Sequence, residues 1–342
     1  MTAIEGRVLP DWAPYGAAAA SAALAALLLL AAGSFNVALL LVATAAIACV
    51  LTYSWSRAIE GPRRAKDRLV TLLIVSAFAL ALIPLLSLVF EVAKRGIPGL
   101  SLEFITSDAR GKIGGGGAAH ALVGTLVITG VATLISVPIG LMAAIYLTEY
   151  GEGRLRRALT FFVDVMTGIP SIVAGLFAYA LFALIFGPGI RLGVMGSVAL
   201  SVLMIPIVIR TSEEVLKIVP NHLREAAYAL GTPKWKTIAR VVLPTAFAGL
   251  VTGVMIAIAR IVGETAPLLV TTGVVDSINS NPFEGRMQNL AVYAYSEYRT
   301  PGVFKDAAYE RAWAAALLLI VIVMVLNLVA RLIYRRYRTE IR

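Results

Sequence analysis

A lone cysteine, Cys49, sits inside an apolar run, and the two histidines, His120 and His222, fall far apart in separate loops. A disulfide framework needs paired thiols and a metal centre needs clustered ligands, so neither organises this chain. Charge is also scarce: Asp, Glu, Lys and Arg make up 15% of the 342 residues, against about 25% in an average soluble domain. Hydrophobic residues reach 59% and the mean hydropathy is +0.85, so water is not the main solvent of this protein. No nucleophile stands with a base and no soluble output domain accompanies the apolar runs, which excludes the usual signs of an enzyme or a signalling module. The glycine run after Lys112 lacks the G-K-[ST] ending and the preceding strand of a phosphate-cradling loop; it is expected to be a flexible external connector.

What the sequence does hold is length of apolar chain. About 20 apolar residues cross roughly 30 Å of hydrocarbon, and eight stretches qualify: 15–32, 36–55, 69–93, 121–147, 158–186, 194–209, 246–270 and 312–334. The first follows Arg7 and Asp11 without a secretory cleavage pattern, so it is expected to stay as a membrane segment. The expectation is an all-α integral membrane protein, a polytopic helical bundle. The formal charge of +10 invites nucleic acid as a partner, but its distribution argues against that. Arg57, Arg63, Arg64, Lys66 and Arg68, then Arg154, Arg156 and Arg157, then Arg210 to Arg240, then Arg331 to Arg342 all fall on one side of the eight-span arrangement. By the positive-inside rule that side is cytoplasmic, with both termini on it. Gly61 and Pro62, with the basic cluster of 56–68, separate an Ala/Leu-rich helical hairpin from six later spans. The division expected is therefore an accessory hairpin and loop over 1–68 and a main domain over 69–342, with no internal repeat of the inverted kind.

A long inside segment, 218–244, reads I-V-P-N-H-L-R-E-A-A-Y-A-L-G-T-P-K-W-K-T-I-A-R-V-V-L-P. Pro220 and Asn221 are start signals, Gly231 suits the left-handed position that ends a helix, and Thr232 with Pro233 suits the cap and first residue of another. The result is two short helices joined by a sharp bend. On the first, Ala226 and Ala227 permit close approach of a partner backbone, and Glu225 offers an acceptor beside them.

Ionisable residues within a span cost about 2.5 to 3.5 kcal/mol each on insertion scales, so they mark a pathway or a pair. Arg260 and Glu264 stand four residues apart in the seventh span, a spacing that puts them on one helix face and allows them to pair. A self-neutralising pair would serve packing alone; a planar guanidinium also matches a tetrahedral oxyanion. Gly168 and Pro170 interrupt the fifth span, and Thr167 and Ser171 add hydroxyls beside the interruption. Asp164, nearer the cytoplasmic end, has two readings: a partner of Arg156 or Arg157 at the interface, or a pathway carboxylate that accepts a hydrogen bond from protonated phosphate and repels sulfate.

With Glu225, Ala226, Ala227, Gly231, Val241, Leu243 and Pro244, segment 218–244 resembles the signature of ABC importer permeases, E-A-A, G and I-x-L-P at set distances, with Val241 in place of Ile. The stretch A-R-I-V-G-E-T-A-P-L-L at 259–269 resembles the phosphate permeases of that family, and its A-P-L-L is similar to one of their two paired subunits. The stretches at 114–126 and 164–177 resemble the same group.

The resemblance implies a six-helix ABC importer permease core preceded by the accessory hairpin. It implies that segment 218–244 is the coupling loop seated in an ATPase, and that Arg260, Glu264, Thr265, Asp164, Thr167 and Ser171 line the substrate pathway. No cofactor is expected on this chain, ATP and Mg being used by the partner ATPase dimer. The other implied partners are a homologous permease, an extracytoplasmic phosphate-binding protein and the lipid bilayer of the bacterial inner membrane, with no nucleic acid. Phosphonate or sulfate import, or a phosphate-signalling role in the membrane, are the competing expectations.

Overall fold

The computed structural model describes residues 9–10, 12–112 and 115–337; Arg7, Asp11, Gly114, Arg338 and Arg342 lie outside the described residues. Helices run α1 (Ala13–Ala31), α2 (Val37–Ile59), α3 (Pro62–Gly96), α4 (Leu102–Thr106), α5 (Ala119–Ile145), α6 (Gly153–Thr167), α7 (Ser171–Phe186) and α8 (Gly193–Ile218). They continue as α9 (Asn221–Ala229), α10 (Lys234–Thr237), α11 (Leu243–Val262), α12 (Ala266–Thr271), α13 (Leu290–Arg299) and α14 (Lys305–Tyr337). Two π-helical turns, Tyr146–Tyr150 and Ile238–Val242, extend α5 and join α10 to α11. No strand occurs among the described residues.

Seven helical runs among the described residues are long and apolar enough to cross a membrane, or eight if the bent pair α6 and α7 is one crossing. Three expected spans take a different form. The stretch 158–186 is two helices meeting at 107°. Gly168 ends α6, and Pro170, which has no N–H to give, stands as the cap of α7. The stretch 194–209 continues to Ile218, because Arg210, Glu213 and Lys217 neutralise one another along α8 and the charge does not stop the helix. The stretch 246–270 breaks at Gly263–Thr265 between α11 and α12.

The chain divides into two compact units, Met1–Glu91 and Val92–Arg342. In the first, the short connection after Ala31 folds α2 back on α1, and both helices present small residues at intervals of four. Ala13, Ala17, Ser21 and Ala25 are buried on α1, and Ala48, Thr52 and Ser56 on α2. Small side chains bring helices close where lipid offers no hydrophobic drive. Glu60, just past α2, ties three segments together: it accepts hydrogen bonds from Leu9 N at 2.8 Å, Ser56 Oγ at 2.6 Å and Arg68 Nη2 at 2.7 Å. Burial alone would raise its pKa, yet these donors and the Arg68 charge outweigh it and hold the carboxyl at about 2.

In the second unit α5 lies along α8. Gly140 lets Val208 approach, Ser197 Oγ donates to Ile128 O at 3.0 Å, and Ser201 Oγ donates to Ala132 O at 3.4 Å. The core beside this seam gathers Ile128, Leu200, Met204, Val208, Ile261 and Leu268, so α11 and α12 are held to the same pair. Gly175 of α7 faces Pro267 of α12; a Cβ there would stand 2.6 Å from Pro267 Cα. The glycine run is not a slack connector where it is described. Gly117 N donates to Asp108 O at 3.3 Å, and the residue abuts the carbonyls of Glu103, Phe104 and Ser107, leaving no room for a side chain.

Two outcomes test this packing. Gly175→Val should lower the thermal stability of the detergent-solubilised protein by about 1–3 kcal/mol, the range for overpacking a tight site; an unchanged midpoint would contradict the α7–α12 contact. Glu60 has a folded pKa below its ordinary 4.5, so its stabilisation is complete above pH 4.5 and is lost as pH falls toward 2. Amide exchange in α1 and α2 should accelerate over that interval in the wild type, and Glu60→Gln should remove the pH dependence.

Candidate functional site

A cavity of about 220 Å³ is lined by Met166, Thr167, Ile169 and Ser171 from the α6–α7 corner, by Leu203, Pro206 and Ile207 of α8, and by Arg260 and Glu264. Two helix breaks meet there, Gly168–Pro170 on one wall and Gly263–Thr265 on the other. Arg260 occupies the last turn of α11, where the negative end of the helix dipole favours a cation. Ser171 opens α7, so the N–H groups of that first turn lie at the rim. Thr167 Oγ1 donates to Val163 O at 2.6 Å, which leaves its lone pairs facing outward from that bond. The second break is held by Asn289, which donates from Nδ2 to Glu264 O at 3.3 Å and accepts from Val292 N at 3.0 Å.

The pairing of Arg260 with Glu264 that a continuous helix would allow does not occur among the described residues. Gly263 caps α11 and turns the chain before Glu264, so the two residues are not on one helix, and neither makes an ion pair among the described residues. Thr265 stands at the start of α12, its carbonyl accepting from Leu269 N at 3.0 Å, and is not among the cavity's lining residues. Asp164 also lies elsewhere. It pairs with Arg210 of α8, rather than with Arg156 or Arg157, in a separate open cleft.

The segment 218–244 forms an elbow. Helix α9 carries Glu225 and Ala226 exposed and Ala227 buried. Gly231 adopts φ +73°, and Gly231 N and Thr232 N donate to Tyr228 O at 2.9 Å and Ala227 O at 3.1 Å, closing the helix end. The second helix starts one residue later than expected, with Pro233 as its cap and Lys234 as its first residue. Val241 falls in the π turn, and Leu243 and Pro244 open α11, so the last signature positions belong to the span itself. Tyr228, Leu230 and Trp235 are exposed around Glu225, an apolar rim beside a carboxylate.

Arg224 and Glu149 escaped the sequence reading. Arg224 Nη2 meets Glu149 Oε1 at 2.8 Å, with side chains 13% and 5% exposed, and Arg224 also donates to Val219 O at 2.6 Å and Leu216 O at 3.0 Å. One guanidinium thus caps the end of α8, anchors α9 and holds the π turn after α5. Lys234 Nζ lies 5.0 Å from the ring centroid of Tyr150 in that same turn. The available signal was a carboxylate at the inner end of the fourth span, just before a basic loop. Removing one member of an enclosed ion pair costs about 3–5 kcal/mol because the other charge is left unpaired. Glu149→Ala should therefore lower the unfolding midpoint sharply, whereas Glu152→Ala, a few residues on, should not; equal effects in a thermal melt would rule out the pin.

Residues 136–339 match the family described as "Binding-protein-dependent transport system inner membrane component". The chain is 46% identical over 275 residues to "Phosphate transport system permease protein PstA 1" of Mycobacterium tuberculosis strain H37Rv, covering 79% of this chain and 88% of that protein. It is 39% identical over 277 residues to PstA of Yersinia pestis, covering 80% and 92%. Among solved structures, the bacterial alginate ABC transporter in complex with its pentasaccharide-bound periplasmic protein gives a TM-score of 0.58 at 15% identity over 80% of this chain and 96% of that one. The inward-facing MetNI methionine ABC transporter gives 0.54 at 23% identity over 65% and 96%; both likenesses speak to the fold. The chain belongs to the binding-protein-dependent transport system inner membrane components, the multi-pass permease subunits of ABC importers.

Proposed function

We propose that this chain is the permease subunit of an ATP-driven phosphate importer and that Arg260 contacts the anion during passage. The observation that carries this reading is a guanidinium free of any carboxylate among the described residues, set at a cavity between two helix breaks. In a span, a permanent charge of that kind calls for a counter-ion, and a tetrahedral oxyanion fits its planar fork. The N-terminal end of α7 adds positive potential at the rim. Glu264, inside the second break and lining the same cavity, supplies the competing charge that keeps the anion from being trapped. Thr167 and Ser171 offer hydroxyls. The phosphate transport names of relatives at 39% and 46% identity favour phosphate over phosphonate or sulfate.

Arg260 is exposed in the single chain, and a homologous permease subunit would close the other side of the cavity. The elbow of α9 and α10, with Glu225 among exposed Tyr228, Leu230 and Trp235, is the surface on which an ATPase dimer would seat. Ala226, Ala227 and Gly231 give that partner close approach, while Val241, Leu243 and Pro244 pass its movement into α11. ATP and Mg²⁺ are used by the ATPase subunits and none is held by this chain. A phosphate-binding protein would deliver the anion from outside, with both termini of the permease in the cytoplasm of the bacterial cell.

The experiment separates substrate contact from coupling in proteoliposomes holding the assembled importer. Arg260→Ala should abolish phosphate uptake, by about 100-fold or more if the lost interaction is worth about 3 kcal/mol, and leave the assembly intact. Glu225→Ala should weaken ATPase docking or the stimulation of hydrolysis by loaded binding protein. Uptake by Arg260→Ala at the wild-type rate would sink the proposal, as would competition by sulfate equal to that by unlabelled phosphate.

A further inference from the structure

The Arg260 cavity does not stand alone along the α6–α8 wall. Thr167 of α6 and Ile207 of α8 line it, while Asp164 of α6 and Arg210 of α8 line a second, open space of about 820 Å³. Each pair is offset by three residues in the same two helices, or about 4.5 Å at 1.5 Å per residue. The offset runs toward the start of α6 and the end of α8, the ends next to the elbow. An anion moving down this wall from Arg260 meets Arg210 next.

The two carboxylates on Arg210 are not equivalent. Its Nη1 donates to Glu213 Oε2 at 3.0 Å, and Glu213 is 9% exposed and also receives Lys217 Nζ at 2.7 Å on Oε1. Its Nη2 pairs with Asp164, whose side chain is 59% exposed. Glu213 is thus the buried partner, held by a second cation, and Asp164 is the exposed partner that can be replaced. Arg156 and Arg157 line the same space, and neither makes an ion pair among the described residues. Around this space Arg156, Arg157, Arg210 and Lys217 outnumber Glu152, Asp164 and Glu213, so it attracts an anion and offers it one guanidinium edge that the exposed Asp164 carboxylate now occupies.

We propose that Arg210 is a second oxyanion station on the cytoplasmic side of Arg260, where the passing anion displaces Asp164 and is displaced by it in turn. This rests on the oxyanion-permease reading above and extends it by a residue and a step. Conduction requires each site to bind well enough to receive the anion and weakly enough to release it. A tethered carboxylate supplies the second half of that condition, because it competes for the same fork at every encounter.

The test is equilibrium binding of radiolabelled inorganic phosphate to the purified, nucleotide-free importer, expressed per assembled complex. Asp164→Asn removes the competitor and should tighten binding by roughly five- to tenfold, the scale of one charge-assisted contact. Adding Arg210→Gln to it should erase the gain. If that double variant fails to assemble, Asp164→Asn with Arg210→Lys serves instead, and the gain should shrink because lysine lacks the fork. Unchanged affinity in Asp164→Asn, with Arg260→Gln still weakening phosphate binding, overturns the station and leaves the phosphate reading in place. A gain for sulfate or a phosphonate but none for phosphate keeps the station and overturns the phosphate reading.

Discussion

In hydrocarbon no water is at hand for a backbone group that has lost its partner, so a helix can be interrupted only against protein or at a polar cavity. This constraint organises the second unit. The chain is interrupted at Gly168–Pro170 and again at Gly263–Thr265, and the two interruptions lie on opposite walls of one cavity. Each is supported from behind. Gly175 brings α7 against Pro267 of α12, and Asn289 takes up the carbonyl of Glu264. Those supports rest on the close seam of α5 and α8, where Gly140, Ser197 and Ser201 let backbones approach within hydrogen-bonding reach. A guanidinium at such a place has Thr167, Ser171 and Glu264 on the same cavity lining, so its charge faces polar groups as well as apolar ones.

The elbow and the cavity belong to one mechanical element. From Lys234 the helix passes through the π turn at Ile238–Val242 and continues to Val262, so the second half of the elbow and Arg260 lie on one rod of 29 residues, about 44 Å long at 1.5 Å per residue. Arg224 fixes α9, the first half of the elbow, to the end of α8 and, through Glu149, to the π turn that prolongs α5. The elbow is thus joined to α11 on one side and to α8 on the other, the two helices that bring Arg260 and Ile207 to the cavity. The π turns are the places where this path is least regular, and such turns often accompany function.

Much of this was legible in the linear chain because it depends on local chemistry. Gly231 had to end a helix, since few other residues adopt its positive φ, and Pro170 had to interrupt one, since it has no N–H. The apolar lengths announced a membrane protein, and Gly231 with Pro233 announced the bend between two short helices. Local rules misjudged the places where neighbours intervene. Thr232 is a good cap by type, yet the chain caps at Pro233. Arg210 and Glu213 looked like the end of a span, yet their mutual pairing lets α8 run on to Ile218.

The sequence by itself determined that the protein lives in a bilayer, that segment 218–244 bends between two short helices, and that Arg260 is a charge in need of a counter-ion, because hydropathy, turn chemistry and the cost of burying charge act through adjacent residues. The tertiary structure decided who meets whom. It separated Glu264 from Arg260, gave Asp164 to Arg210 and Glu149 to Arg224, and set two distant helix breaks face to face. A spacing of four predicts a contact only while the helix continues, and pairings across 46 or 75 residues exist only after the helices have packed.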